Sequence, residues 1–359
     1  MSKGYKAAII GTGPSPENRT VDGYAMGYLH ANSYQKIEEV ELVACADIEL
    51  ENARKFTKSF RIDPELAYDD FSTMIDEVRP DIVSICTPPD THAGIVKRCA
   101  KSGIPRAIHC EKPMATNFGD SKEMTELCKK QEIQLTFNHQ RRMGEPFEDA
   151  KELLSAGAIG KPRRFQYSWG NFFDLGTHCI DLINYFNGDR KAEWVMTQLD
   201  YREENIQFGA HNENQILALW QYENETYGLA STGKGAGLFP GDILLVGSNG
   251  FLDISMYDPT RVRHINYEEG EEIYNYADSS GPSDQYWIDS AIEDVVDSLI
   301  EGSESELSAR KALLATEIIF AGYHSARERA RIDLPLDITD NPLVSMLESG
   351  DIKLKESND

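Results

Sequence analysis

Two short stretches of the chain carry residue types able to move protons and stabilise charge. In the first, the apolar run Ala107 to Cys110 reads as the end of a buried strand, which stops at Glu111-Lys112-Pro113. Lysine and glutamate are rarely buried unless they are paired or used. Pro113 has no N–H for a sheet ladder and biases Lys112 towards extended backbone. A charged pair is therefore expected at a strand's C-terminal edge, where open α/β sheets bind ligands. The second stretch is Asp174-Leu175-Gly176-Thr177-His178. Its acid and imidazole are i and i+4, on one face if the segment is helical. A histidine near its ordinary pKa can accept a hydroxyl proton as hydride leaves the same carbon, with Asp174 orienting the ring. Lys112 would stabilise the developing alkoxide or the ketone oxygen, held by Glu111. Alternatively, Lys112 is itself the proton carrier; these residues leave both assignments open. A chance salt bridge and an ordinary core or cap histidine are the plainer readings of each stretch alone.

The elements that must position these groups follow from the apolar pattern. Tyr5 to Ile10 is a strand ending in Gly11-Thr12-Gly13, half of a dinucleotide fingerprint: the first glycine makes the tight turn, and the second lets the backbone approach a pyrophosphate. A turn-rich insertion, 14–24, separates it from a helix opening near Ala25, so Gly27 is read as the displaced third glycine. A second strand, Val40 to Ala46, ends at Asp47, 20 residues after Gly27 (47 − 27), the spacing of the acid that binds the adenosine ribose. No Lys or Arg follows before Arg54, which favours NAD over NADP; the plainer role for Asp47 is a helix N-cap. A third strand, 82–86, ends in Thr87-Pro88-Pro89, a stiff wall suited to flank a nicotinamide ring. Strand and helix alternate through 138 in the pattern of a doubly wound parallel sheet. Beyond it, strands at 163–169, 194–201, 214–222, 226–232, 242–246 and 251–256 have short connections and predict an antiparallel sheet in a second, α+β domain. Long helices are expected at about 284–301 and 305–330. The expected division is 1–138 for the dinucleotide-binding domain, 139–336 for the second domain and 337–359 for a polar, frayed tail. Arg141, Arg142 and Trp169 are candidates for lining a substrate pocket, with a solvated arginine pair and a core tryptophan as alternatives; Asp181 is read as structural.

Bulk properties bound the function. The 359 residues suit two domains of ordinary size. A net charge of −24 argues against nucleic acid or an anionic membrane as partner. The six cysteines form no C-x-x-C pair and read as reduced thiols of a cytoplasmic protein without a metal site. No secretory leader or membrane span is expected. Leu217, Leu219, Leu244 and Val246 alternate along the second sheet and are expected to bury one face against another subunit, as a homodimer or homotetramer.

The ordered set Gly11-Thr12-Gly13 with Gly27, Asp47, Thr87-Pro88-Pro89 with His92, Glu111-Lys112-Pro113, Ile159-Gly160-Lys161-Pro162 and Asp174-Leu175-Gly176-Thr177-His178 resembles the glucose–fructose oxidoreductase and inositol dehydrogenase (Gfo/Idh/MocA) family of NAD(P)-dependent oxidoreductases. The resemblance runs to roughly residue 330. It implies a Rossmann domain followed by an α/β domain with an open antiparallel sheet, often the oligomer interface. It also implies catalysis by Lys112, Asp174 and His178, with cofactor contacts from Gly11, Thr12, Gly13, Gly27, Asp47, Thr87, Pro88, Pro89, His92 and Glu111. Lys112, Arg141, Trp169 and His178 are the expected substrate contacts. The function expected is NAD-dependent hydride transfer at a secondary alcohol or ketone of a sugar, inositol or related polyol. The alternatives are a non-catalytic sensor of dinucleotide or sugar, and a member that cleaves glycosides through transient use of NAD.

Overall fold

The computed structural model describes residues 4–16, 25–256, 260–276 and 285–355, which form two compact units. Residues 17–24 of the 14–24 insertion lie outside the described residues. The first unit comprises 1–115, 120–140 and 283–312, and the second 116–119, 141–282 and 313–359.

The first unit is a six-stranded parallel sheet. Its strands are β1 (Tyr5–Ile10), β2 (Val40–Ala46), β3 (Ala67–Tyr68), β4 (Ile82–Ile85), β5 (Ala107–Cys110) and β6 (Gln134–Phe137), in the order β3-β2-β1-β4-β5-β6. β4 and β5 are buried throughout, which explains why they read as unbroken apolar runs rather than alternating ones. The crossovers carry α1 (Met26–Tyr34), α2 (Leu50–Phe60), α3 (Phe71–Val78), α4 (Pro89–Ser102) and α5 (Phe118–Lys130). Chain order reverses between β1 and β4, so the ligand-binding crevice of such a sheet falls at their carboxyl ends.

A helix far along the chain, Gln285–Glu301, also belongs to this unit. Ile288, Ile292 and Val296 pack in one cluster with Ala7, Ile9, Ile82 and Ala107 of the sheet, and Asp289 accepts a hydrogen bond from Ser33 of α1 at 2.7 Å. The sequence reading gave this helix to the second domain. An amphipathic face shows that a helix is buried, not which sheet buries it.

The second unit contains α6 (Glu145–Ser155), β7 (Pro162–Tyr167), α7 (Gly176–Phe186), β8 (Ala192–Asp200), β9 (Ile206–Gln207), β10 (Ala210–His211), β11 (Gln215–Tyr222), β12 (Tyr227–Ser231), β13 (Ile243–Gly247), β14 (Gly250–Ser255), β15 (Thr260–Asn266) and β16 (Gly270–Tyr276). The helix placed on the first sheet is α8; α9 (Ala309–Glu328), β17 (Ile332–Asp333) and α10 (Pro342–Ser349) follow. Nine strands form one sheet, ordered β16-β15-β14-β13-β7-β12-β11-β8-β17, in which only the β7–β12 pairing is parallel. Strands β15 and β16, absent from the sequence reading, extend it. Along β11, Ile216, Ala218, Trp220 and Tyr222 are buried while Leu217 is exposed, the period-2 signature of a sheet covered on one face. The tail expected to fray instead forms α10, capped by Asn341 and anchored by buried Leu343 and Met346.

Candidate active site

The carboxyl edge of the first sheet is a regular row. The ladder continues one residue past the strands: Gly11 N–H donates to Ala46 O, Cys86 N–H to Ile10 O, Glu111 N–H to Ile85 O and Asn138 N–H to Cys110 O, each at 2.8 Å. The residues after β1, β4, β5 and β6 are thereby in register beside the switch point, bringing the Gly11, Thr87 and Glu111-Lys112 motifs to one edge.

Local geometry around the Gly11 turn fits a dinucleotide. Gly11 has φ +85°, and a Cβ there would stand 2.6 Å from Thr87 Cγ2. A Cβ on Gly27 would meet Gly11 O at 2.9 Å, so Gly27 does lie against the turn across the insertion. Among the described residues no side chain caps α1, so its first N–H groups suit an anionic ligand. Asp47 follows β2. Its Oδ2 accepts from Gly13 N–H at 2.8 Å and Thr12 Oγ1 at 3.1 Å; its Oδ1 accepts from Glu49 N–H at 3.0 Å and Asn52 Nδ2 at 3.4 Å. The carboxylate is therefore both local cap and ribose candidate. A carboxylate has about four acceptor positions, so ribose hydroxyls would displace its longest contacts, those of Asn52 and Thr12. These residues fit NAD.

The loops at this edge are tied together by local hydrogen bonds. Pro89 is the first residue of α4 and Pro88 its N-cap; Thr91 Oγ1 donates to Pro88 O at 2.8 Å and lies 2.7 Å from Thr87 Oγ1. His92, expected to touch cofactor, is fully buried. Its Nδ1 lies 2.8 Å from Pro113 O and its Nε2 2.8 Å from Thr87 O, so it braces the Thr87 and Glu111-Lys112-Pro113 loops against each other. Burial pushes its pKa down, favouring the neutral ring. Glu111 is buried as well. Its Oε1 accepts from Asn138 Nδ2 at 2.7 Å and lies 3.1 Å from His30 Nε2, while Oε2 accepts from Lys112 N–H at 3.3 Å. Burial raises this carboxyl, but the His30 and Asn138 hydrogen bonds and the nearby charges win and hold it at about 2. Cys86 Sγ completes the group, 3.5 Å from His30 Nδ1. Lys112 thus emerges from a peptide whose neighbouring carboxylate is fixed by α1 and by the end of β6.

In the second unit, α7 starts at Gly176, so Asp174 sits in the turn just before the helix that carries His178. Both are buried. The turn is clamped by Asn171 within it and by Asn212 and Glu213 from the loop between β10 and β11. Asp174 N–H donates to Asn212 Oδ1 at 3.0 Å, Leu175 N–H to Asn171 Oδ1 at 2.7 Å, and Phe172 N–H to Glu213 Oε1 at 2.7 Å. Glu213 also accepts from Thr232 Oγ1 at 2.9 Å and Tyr323 OH at 2.7 Å. Burial raises its pKa, and those donors only partly offset the rise.

The two arginines have different surroundings. Arg142 forms a fork with Asp181 (Nε–Oδ2 2.7 Å, Nη2–Oδ1 2.8 Å) and bonds both oxygens of Asp189, so it is structural, as Asp181 was expected to be. Arg141 Nη1 meets Met256 Sδ at 3.2 Å, and its Cζ lies 5.9 Å from the half-buried Trp169 ring.

Sequence reasoning missed His30, Asn138, Asn212 and Glu213. Only His30 left a signal: a lone imidazole three residues after Gly27, among small and apolar helix residues. Its partner Glu111 is 81 residues away, out of reach of any local pattern. Among the described residues no group of three or more His, Cys, Asp or Glu side chains is arranged to hold a metal, and no helix is long and apolar enough to cross a membrane.

Comparison with known proteins matches both parts of the chain. Residues 6–139 match the oxidoreductase family's NAD-binding Rossmann fold, and residues 151–334 its C-terminal alpha/beta domain. The chain is 24% identical to a D-apiose dehydrogenase of Paraburkholderia graminis, over 98% of this chain and 95% of that one. It is 28% identical to a myo-inositol 2-dehydrogenase of Thermotoga maritima, over 47% of this chain and only 54% of that one. An inositol dehydrogenase homolog from Azotobacter vinelandii, complexed with NADH and myo-inositol, shares the fold with a TM-score of 0.73 at 18% identity, over 93% of this chain and 98% of that one. The chain is an NAD-dependent oxidoreductase of the glucose–fructose oxidoreductase and inositol dehydrogenase (Gfo/Idh/MocA) family.

Proposed function

We propose that the protein is a dehydrogenase that transfers hydride between NAD and a secondary alcohol or ketone of a sugar, inositol or related polyol. The observation that carries this reading is the row at the carboxyl edge, where the Gly11 turn, Thr87 and Glu111-Lys112 follow adjacent strands at the switch point, with Asp47 held beside the turn. The curated relatives named for D-apiose and myo-inositol support the substrate class.

Bound NAD supplies the hydride acceptor. Lys112 places a positive charge to stabilise the substrate oxygen as it gains charge. His178 takes the hydroxyl proton, and Asp174 orients the ring. Balance is complete: the carbinol C–H leaves as hydride, the O–H proton goes to the protein, and a ketone remains. Asp47 disfavours a 2′-phosphate and makes NAD the preferred dinucleotide. A regulator without turnover would have no use for the Lys112 and His178 chemistry. Six free cysteines, five of them buried, suit a cytoplasmic enzyme.

The outer face of the second sheet is read as a subunit interface. Met196, Leu219, Leu229, Gln166 and Leu244 form one row across five strands. Met196 and Leu217 are 48% and 43% exposed, whereas Leu244, expected to lie open, is 7% exposed, so the available patch is centred on β8, β11 and β12.

The test is NADH absorbance during a screen of sugars, inositols and polyols with NAD. Turnover with at least one supports the reading. Release of free sugar from glycosides with no net NADH would instead favour the glycoside-cleaving alternative.

A further inference from the structure

We infer that Arg141 is a carboxylate anchor and that the preferred substrate is the acid form of a sugar or polyol, an aldonate or uronate. This rests on the dehydrogenase reading and narrows it. Arg141 is 3% exposed. Its guanidinium stays charged and presents five donors. Among the described residues its contacts are a thioether, Met256 Sδ, and the Trp169 ring, with Nε making no hydrogen bond and no carboxylate paired to it. A thioether is a weak acceptor, and a ring at 5.9 Å is at the outer limit of cation–π attraction. A buried cation left this way is costly unless an anion completes it. Arg142, the adjacent residue, shows what completion looks like: two carboxylates on one fork.

The surroundings suit a substrate anion rather than a structural one. Trp169 follows β7 and Met256 follows β14. Both ends are tied to Asp242, by Ser168 N–H to Asp242 O at 3.0 Å and by Met256 N–H to Asp242 Oδ2 at 2.9 Å. The anchor's two neighbours thus lie at a fixed sheet end, and Trp169 stands five residues before Asp174. A chain of net charge −24 repels anions at long range, so an acidic substrate needs a local, buried cation. A neutral polyol could bond these N–H groups but would leave the charge uncompensated. One guanidinium matches the single charge of a carboxylate in a bidentate pair; a dianionic phosphate ester would exceed it.

The test compares matched substrates at saturating NAD: glucuronate with glucose, galacturonate with galactose, gluconate with sorbitol, and a hexose phosphate. At least one acid should exceed its neutral partner in kcat/KM by about a hundredfold, the scale of a buried charge-assisted pair. Arg141→Met should bring that ratio close to one, and Arg141→Lys should keep part of it. Neutral sugars used as well as the acids, an acid preference unchanged in Arg141→Met, or preference for the phosphate would each overturn the inference while leaving the dehydrogenase reading intact. If no compound reduces NAD, the dehydrogenase reading fails, and calorimetric titration of the NAD complex with glucuronate and gluconate decides the anchor. Binding lost in Arg141→Met supports it; no binding to the wild type overturns it. Should Arg141→Met lose its near-ultraviolet dichroism, Arg141→Gln and Arg141→Lys carry the comparison.

Discussion

Lys112 is half-buried, and the Glu111 carboxylate beside it is held under the strand edge by His30 and Asn138. His30 is then a positioning residue. His30→Leu should lower kcat by roughly ten- to a hundredfold while leaving NAD affinity within a few-fold, a split that general destabilisation does not give. His30→Gln, which keeps a donor, should recover most of the loss. Equal losses in kcat and NAD binding would mean that His30 only supports the fold. The pH dependence has a definite sign. The Glu111 carboxyl is depressed from 4.5 to about 2, so its contribution to stability is complete above 4.5 and is lost as pH falls towards 2. The acid-unfolding midpoint of His30→Leu should accordingly move to higher pH. At Asp47, a 2′-phosphate would bring like charge within a few ångströms, costing on the order of 4 kcal/mol at an effective dielectric near 20. Preference for NAD over NADP is expected to be at least about a hundredfold in kcat/KM, after allowance for screening. Asp47→Ser with Ile48→Arg should narrow it; Ile48 is 90% exposed and accepts the change without repacking. Equal use of NADP by the wild type would reduce Asp47 to the local cap that its bonds to Glu49 and Asn52 also make it.

The elements that carry the site were legible to different degrees. Strand ends were readable because a buried parallel strand is an apolar run with an abrupt polar stop, as at Asp47, Thr87 and Glu111. The start of α7 was not. An i, i+4 spacing is compatible with a helix, but Asn212 and Glu213 fix the preceding turn through the Asp174 and Phe172 N–H groups, and the chain enters α7 two residues late. Those acceptors come from elsewhere in the fold, as does the sheet that buries α8, so neither outcome follows from local pattern. The Glu213 clamp makes its own prediction. Its carboxyl is raised by burial, so the stability linked to its protonation is present at low pH and lost as pH rises through its folded pKa. Glu213→Gln should therefore gain on the wild type as pH rises. Glu213→Leu strands the Phe172 N–H and two hydroxyls and should cost about 3 kcal/mol in denaturant unfolding at any pH. If Glu213→Leu proves as stable as wild type, the turn before α7 is held by something other than this carboxylate.

For the whole molecule, the doubly wound order of the first sheet suits a dinucleotide at its switch point, and the exposed apolar patch on β8, β11 and β12 is proposed as the contact with another copy. Light scattering at micromolar concentration should give a dimer or tetramer, and Leu217→Lys with Met196→Glu should shift the population towards monomer; a wild-type monomer would leave that face without its proposed partner. The central claim is that Lys112 and His178 perform the chemistry and that NAD binding depends on other residues. The most direct measurement pairs NAD affinity, by fluorescence or calorimetry, with turnover on the best substrate, in wild type, Lys112→Met and His178→Gln. The account predicts dissociation constants within a few-fold of wild type and turnover lower by about a hundred- to a thousandfold in each variant, the size of a general-acid–base or electrostatic contribution. Turnover near the wild-type value in both variants would contradict it.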